Sequence, residues 1–484
     1  MHLKSTVGYS FTFLFLLYHH PVLPYGNEEH FLTEICVISF DQIEVCALTD
    51  VGVKRGYNQD SFYSASAESA LQWSEVGHLY LVADGMGAHA VGEKASEQAV
   101  KIIPHVFGKL AREEGGPVSM RKALLEANFS IHECGQQNTD FKGMGTTATA
   151  LALRPEGAWI GHVGDSRVYR IKNQKIEQLT YDHSLVWEYA KLKKIDPDEV
   201  KDIPSNYINK CLGPEPLVEP DVEGPYPLAK EDKFLLCSDG LSGQMEDVEI
   251  GAVISCLPIQ EACEILIHAS NIRGGPDNIT AILVHVKPSE NQPGQSPNAP
   301  DPETLEAKLS ILQYLRKIDL GAPWWVISLL VGAFSAFGSA AVFLNQIPGP
   351  WALFLIIFSL ASVFSGMVGL VRQILVSRGD SNPENTDPQP RIHRSKSIQY
   401  DLKLVEKFQL QVDFLKRWLA DNEVKLEGSD LTVDKSLLES TLAQAQADIK
   451  AKNFRNAFKG YCQAILLLVK PWNYHRPNGP KKPK

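Results

Sequence analysis

Between residues 40 and 290, short apolar runs of strand length repeatedly end at, or abut, an aspartate. Leu79–Ala83 leads into Asp84-Gly85-Met86-Gly87, and Ala47-Leu48-Thr49-Asp50 leads through Arg55 to Asn58-Gln59-Asp60. Trp159–Gly164 ends in Asp165-Ser166-Arg167, and Phe234–Cys237 ends in Ser238-Asp239-Gly240. Gly274-Gly275-Pro276-Asp277-Asn278 precedes the run Ile279–Val284. Strands buried on both faces read as continuous apolar runs, and Gly or Asn beside each aspartate marks a turn. The pattern therefore delivers carboxylates to strand ends. Any one of them is explained by a turn or cap. Asp60, Asp84, Asp165, Asp239 and Asp277 converging together would be a costly cluster of like charge, which a pair of divalent cations resolves. Donor sets made only of oxygen suit Mg²⁺ or Mn²⁺. A phosphate-cradling loop is excluded at Asp84, because neither Gly-Lys-Ser/Thr nor G-x-G-x-x-G follows the strand.

At 484 residues, with 44% hydrophobic and 21% charged content, the chain has room for two or three globular domains. Its net charge of −10 argues against nucleic acid as the main partner, and the tail Lys481-Lys482-Pro483-Lys484 is too short to reverse that. The eight cysteines contain no C-x-x-C pair, so neither a zinc site nor a disulfide framework is suggested, and a reducing compartment fits.

From Leu320 to Val371 there is no Asp, Glu, Lys, Arg or His, and Gln346–Pro350 forms a turn in the middle. Two spans of about 20 residues each fit this length, which predicts a transmembrane helical hairpin. Trp324, Trp325 and Trp351 sit where interfacial aromatics belong, and Gly332, Ala336, Ala340, Ser362 and Gly366 would let the helices pack closely. Arg316 and Lys317 precede the first span and Arg372 and Arg378 follow the second, so both flanks are expected in the cytoplasm. At the N-terminus, Lys4 and Gly8–Tyr18 resemble a short signal-peptide core, but His19-His20-Pro21 follows in place of a small-residue cleavage site.

Proline-rich linkers are expected at Asn291–Pro302 and Asp380–Pro390, and Arg394-Ser395-Lys396-Ser397 reads as a basic juxtamembrane segment. Beyond it, Val405, Phe408, Val412, Leu415 and Leu419 alternate at spacings of three and four, the mark of an amphipathic helix. Leu438, Leu442, Ala445 and Ile449 begin a second, and Ala457, Tyr461, Ala464, Ile465 and Leu468 a third. The order KNFRNAFKGYCQAI reads either as half of a tetratricopeptide-type helical hairpin or as part of a plain helical bundle.

The ordered motifs RGYNQD, VADGMG, MGTT, GHVGDSRVYRI, DHSLV, CSDGL and GGPDN resemble the protein phosphatase 2C family of metal-dependent serine/threonine phosphatases, in its bacterial form. The resemblance covers about residues 40–288. It implies an α+β fold: a two-sheet antiparallel β-sandwich flanked by helices, with two Mn²⁺ or Mg²⁺ ions in a cleft at one end. Helices are expected within Lys94–Gly108, Met120–Gln136 and Glu261–Asn271.

Carried over by motif, Asp60 would bridge the metals, Asp84 and the Gly85 carbonyl would hold one, and Asp239 and Asp277 the other. A metal-bridging hydroxide would then attack phosphorus. Arg55 would grip the substrate phosphate, where a guanidinium fork offers parallel hydrogen bonds. Asp165 matches a ligand of a third, weaker ion, although Gly243 stands where a further carboxylate is common. Met86 replaces a histidine that serves some relatives as general acid, with His89 as a substitute, and Ala88 replaces a glycine. Thr146 and Thr147 are read as packing and backbone-bonding residues. Asp182–Gly213 corresponds to a flap beside the site that influences substrate choice.

The expected organisation is a leader at 1–37, the catalytic domain at 38–288, and a linker with juxtamembrane helix at 289–319. The hairpin follows at 320–376, then a linker at 377–398, a cytoplasmic helical region at 399–470 and a basic tail at 471–484. The leading reading is a membrane-tethered phosphatase acting on phosphorylated proteins, with a protein partner at the C-terminal helices. The competing ones are a pseudophosphatase that binds phosphoproteins without turnover, and a membrane scaffold.

Overall fold

The central strands alternate their side chains between two buried layers, and that alternation sets the architecture. The computed structural model describes residues 40–87, 91–204, 207–287, 389–422 and 433–476. All of these belong to one unit, Ile38–Lys484. The leader, the linker at 289–319 and the hairpin at 320–376 lie outside the described residues.

Two antiparallel sheets form the centre. One runs β1 (Ile43–Asp50), β11 (Ile279–Val286), β10 (Lys233–Cys237), β7 (Arg167–Lys172), β8 (Lys175–Gln178) and β12 (Arg394–Ser397). The other runs β2 (Asp60–Ala65), β3 (His78–Met86), β5 (Ala148–Arg154), β6 (Gly157–Val163) and β9 (Asp221–Tyr226), with the short β4 (Gly145–Thr146) on β3. In β3, Leu79, Leu81 and Ala83 face the helices α2 (Val91–Glu114) and α3 (Gly116–Gln137). In β11, Ile279, Ala281 and Leu283 face α7 (Ile259–Ile272) and its neighbour α6 (Asp247–Cys256). The intervening Tyr80, Val82, Ile282 and Val284 are fully buried, and the sheets contact each other through β11 with β3 and β10 with β5. This is the helix–sheet–sheet–helix sandwich expected, and α2, α3 and α7 contain the three helical segments named above.

The C-terminal part departs from its sequence reading. The linker expected at 377–398 ends in a strand: Arg394–Ser397 pairs antiparallel with Lys175–Gln178 and extends the first sheet. Its two cations are satisfied by acids rather than by lipid, since Arg394 meets Asp198 and Asp247, and Lys396 meets Asp198.

The helical region is likewise no separate module. Helices α8 (Leu402–Asp421), α9 (Lys435–Lys450) and α10 (Phe454–His475) carry the expected apolar stripes. Val405, Phe408, Val412, Phe458 and Ile465 share one core with Ile250, Val253 and Leu266 of α6 and α7. Tyr400 donates to the Ala252 carbonyl at 3.0 Å, and Arg455 to that of Ser255 at 3.1 Å. α10 packs on both α8 and α9, as in a small bundle. It also runs five residues past the expected boundary at 470, because Trp472 is still buried against the core. The basic tail expected from 471 therefore begins inside a helix.

Among the described residues no helix is long and apolar enough to cross a membrane.

Candidate metal centre

The antiparallel pairings bring every aspartate-bearing strand end to the same end of the sandwich. Asp60, the first residue of β2, is directly opposite Asp84 near the end of β3. Asp239 follows β10 and opens the short helix α5 (Asp239–Ser242), while Asp277 precedes β11, and Cys237 of β10 is paired with Ala281 of β11. Asp165 lies in the turn between β6 and β7.

Asp60 is held from the opposite sheet. Its Oδ2 accepts hydrogen bonds from the Ser238 and Thr280 hydroxyls, each at 2.7 Å, while its Oδ1 is buried without a partner. Burial, with Asp239 and Asp277 nearby, pushes its carboxyl up to about 7 in spite of those two bonds. Asp84 is pushed well above the carboxylate range by burial and by the charges of Asp60, Asp239, Asp165 and Asp277. Asp239 and Asp165 are raised for the same reason, and each has one buried oxygen with no partner. The charge of Asp239 is among those that raise Asp84, and repulsion of this kind is relieved by a shared proton or by a cation.

The backbone around these groups is packed so closely that two positions admit only glycine. A Cβ on Gly85 would lie 2.1 Å from the Gly92 carbonyl oxygen, so only glycine lets β3 pass this close to α2. A Cβ on Gly240 would meet the Asn278 carbonyl oxygen at 1.9 Å, and the Asp239 and Asp277 turns come together there. Among the described residues no three Asp, Glu, His or Cys side chains close into a cage. Asp60 and Asp84 face each other in register, and oxygen donors of this kind suit Mg²⁺ or Mn²⁺ sites completed by water. Orphaned carboxylate oxygens, oxygen-only donors and mutual repulsion together fit the expected divalent pair.

Arg55 lies at the rim, half exposed, with its Nη2 2.7 Å from Asp277 Oδ2. Thr147 accepts the Asp84 N–H at 2.8 Å, and Thr146 donates to the Asp84 carbonyl at 2.9 Å, the backbone-bonding role expected of both. Met86 closes β3, Gly243 caps α5, and Ala88 and His89 lie outside the described residues.

Three supporting residues were not singled out from sequence. Ser238 and Thr280 fix Asp60, and the signal was a hydroxyl interrupting the apolar run Ile279–Val284. Asn278 accepts the Gln59 N–H at 2.8 Å and donates to the Val51 and Tyr57 carbonyls at 2.9 and 3.0 Å, which ties the Arg55 loop to the Asp277 turn.

Beside the centre, the flap begins with Ser184 capping α4 (Leu185–Lys193), continues through a 3-10 turn at Pro197–Glu199, and returns at Leu212, which pairs with Thr146. Its base is fixed by His183, 3.0 Å from Asp221 and stacked on His162 at 4.9 Å between centroids.

A family model described as protein phosphatase 2C matches residues 54–259. Protein phosphatase PhpP of Streptococcus pneumoniae serotype 2 is 36% identical over 248 residues, covering 50% of this chain and 97% of that protein. The serine/threonine phosphatase stp of Listeria monocytogenes serovar 1/2a is 34% identical over 241 residues, covering 49% and 93% respectively. The crystal structure of the catalytic domain of the serine/threonine protein phosphatase PstP in complex with two manganese ions is 28% identical, covers 51% of this chain and 99% of that one, and superposes with a TM-score of 0.44.

Proposed function

Because the chain belongs to the protein phosphatase 2C family, and is a metal-dependent protein serine/threonine phosphatase, we propose that its buried aspartates hold two Mn²⁺ or Mg²⁺ ions for hydrolysis of phosphoserine and phosphothreonine. The observation that carries this assignment is the state of Asp60: one oxygen fixed by Ser238 and Thr280, the other buried and unbonded among Asp84, Asp239 and Asp277. In this reading Asp60, Asp84, the Gly85 carbonyl, Asp239 and Asp277 would hold the two ions, and Asp165 would border a weaker third position. The ion pair supplies Lewis acidity, so that bound water ionises near neutral pH and phosphate charge is offset.

The protein's own work is orientation. Ser238 and Thr280 aim Asp60, Thr147 and Thr146 hold the Asp84 backbone, and Asn278 fixes the loop carrying Arg55 against the Asp277 turn. Arg55 exchanges its Asp277 partner for two oxygens of the substrate phosphate, whose esterified residue then leaves as a free hydroxyl. No covalent phosphoenzyme is needed.

The test is phosphate release from a phosphothreonine peptide by the full chain, titrated with Mn²⁺ and Mg²⁺, beside Asp239→Asn. Metal-dependent release that falls by more than roughly a hundredfold in the variant is the expected result, since even groups behind the ligands are worth 10–100-fold. Equal release by both chains, or release indifferent to chelator, refutes the assignment.

The reading extends to location. The charge-free run Leu320–Val371 forms a two-span membrane hairpin that tethers the enzyme, with the catalytic and C-terminal parts in the cytoplasm facing phosphorylated protein substrates. Support comes from both flanks: β11 before the run and β12 after it belong to the same sheet, so the chain must return to the side it left. An even number of spans does this and a single span does not. Deleting 320–376 should move the protein from the membrane to the soluble fraction, and retention in the membrane would refute the tether.

A further inference from the structure

A cavity of about 750 Å³ opens from the centre, and seven of its 25 lining residues lie beyond the matched family region. Asp165 and Asp239 line its inner end, Trp187 and Asp198 of the flap one side, and Leu410 and Phe414 of α8 the other. Leu410 is 64% exposed and Phe414 38%, although both belong to a helix whose opposite stripe is buried.

The strand β12 acts as a strut between these walls. The Arg394 side chain is 7% exposed and reaches Asp198 on the flap at 2.7 Å and Asp247 at the start of α6 at 2.5 Å. Its guanidinium carbon also lies 5.8 Å from the Trp187 ring centre. Lys396 takes Asp198 as well. Gln389, Arg391 and His393 line a second cavity of about 570 Å³ together with Trp187, Lys191 and Pro197 of the flap.

We propose that β12 and α8 form the outer wall of the substrate groove. Arg394 is a positioning residue that sets the flap through Asp198, and Leu410 and Phe414 receive an apolar side chain of the substrate polypeptide, a few residues from the phosphorylated one. The proposal rests on the phosphatase reading above. The occupant is identified by continuity: one end of the groove is the carboxylate centre, so a phosphorylated side chain placed there leads its own backbone outward between the flap and α8. A small phosphoester fills only the inner end and cannot use the wall.

Full-length enzyme is assayed on a long phosphothreonine peptide bearing a downstream or upstream leucine, and on para-nitrophenyl phosphate. Two variants are compared with wild type: Asp198→Ala, which cuts the strut at its exposed end without uncovering a buried charge, and Leu410→Asp. In each, the ratio of kcat/KM for the peptide to that for the small ester should fall about tenfold, the order of one charge-assisted contact for Asp198 and of one buried apolar side chain for Leu410, and the loss should lie in KM rather than kcat. Asp198→Glu should recover most of it.

Ratios within twofold of wild type in both variants would overturn the proposal. So would a rise in activity on both substrates, which would mean that the groove holds a segment of this chain. If wild type hydrolyses neither substrate with metal present, the phosphatase reading itself falls, a result distinct from an unchanged ratio.

Discussion

Arg476, the residue capping α10, tests whether the C-terminal helices hold the catalytic loop in place. Its side chain is 1% exposed, and it donates from Nη1 to the Gly52 carbonyl at 2.8 Å and from Nη2 to Asp50 at 2.5 Å. Gly52 in turn backs onto the Asp277 turn, and Val53 and Lys54 donate to the Gly275 carbonyl at 2.8 and 3.1 Å. Replacing Arg476 with Met keeps bulk against Trp472 but strands a carboxylate and a carbonyl.

Hydrogen bonds to charged groups are worth about 1.5–3 kcal/mol each, and breaking one side of a buried pair costs about 3–5 kcal/mol. Asp50 keeps a bond from the Gly52 N–H and is 18% exposed, so it rehydrates in part. A loss of about 3 kcal/mol follows, at the low end of that range. Native-state hydrogen exchange of the full chain should show the last turn of α10 and residues 50–54 opening roughly a hundredfold more readily, at 1.4 kcal/mol per decade. Asp50→Asn combined with Arg476→Met should cost less than the sum of the two, because the pair is already broken. Exchange accelerated less than threefold, or a fully additive double variant, would refute the claim that α10 secures this loop.

Three further outcomes follow from the same contacts. Thr280→Val removes one of the two hydroxyls that aim Asp60, and should weaken Mn²⁺ binding about 10–100-fold by calorimetry while the fold is retained; unchanged affinity would deny it that role. His78, His162 and His268 are held by burial at about 4, 3 and 4, below their ordinary value, so each is neutral when folded. The unfolded chain takes up those protons first, so stability is intact above about pH 6.5 and is lost progressively toward pH 4; a urea midpoint that does not move between pH 7.5 and 5.5 would contradict this. Deleting 389–484 uncovers the α6 and α7 faces that meet Phe408, Phe458 and Ile465, and the remaining phosphatase domain should bind a hydrophobic dye and aggregate; a monodisperse, active truncation would show that the two parts are independent.

The carboxylate cluster was legible in the sequence because each member sits in a local signal, a strand run stopped by Asp beside Gly or Asn. Strand direction then does the rest: in an antiparallel sandwich the end of one strand lies beside the start of its neighbour, and Asp60 and Asp84 meet in register. The supporting hydroxyls were harder to see. Thr280 is one polar residue in an apolar strand, and nothing local says that it faces Asp60 across 220 residues.

The C-terminal attachment was illegible for a different reason. Arg394–Ser397 has no apolar alternation, and its strand exists because β8 offers an open edge and because Asp198 and Asp247, distant in sequence, match its two cations. The stripe of α8 was visible at Val405, Phe408, Val412 and Leu415, but a stripe names no partner. The missing clue lay in α6, where Ile250, Gly251, Ala252, Val253 and Ile254 are all buried in succession. A helix on the outside of a two-sheet sandwich normally keeps one polar face, and one that is apolar nearly all round has to be covered twice. The sheet covers one side of α6 and the returning α8 and α10 cover the other. The parts of the chain before and after the roughly hundred residues between β11 and β12 thus share a single core, and cutting the chain between them divides one folding unit rather than separating two.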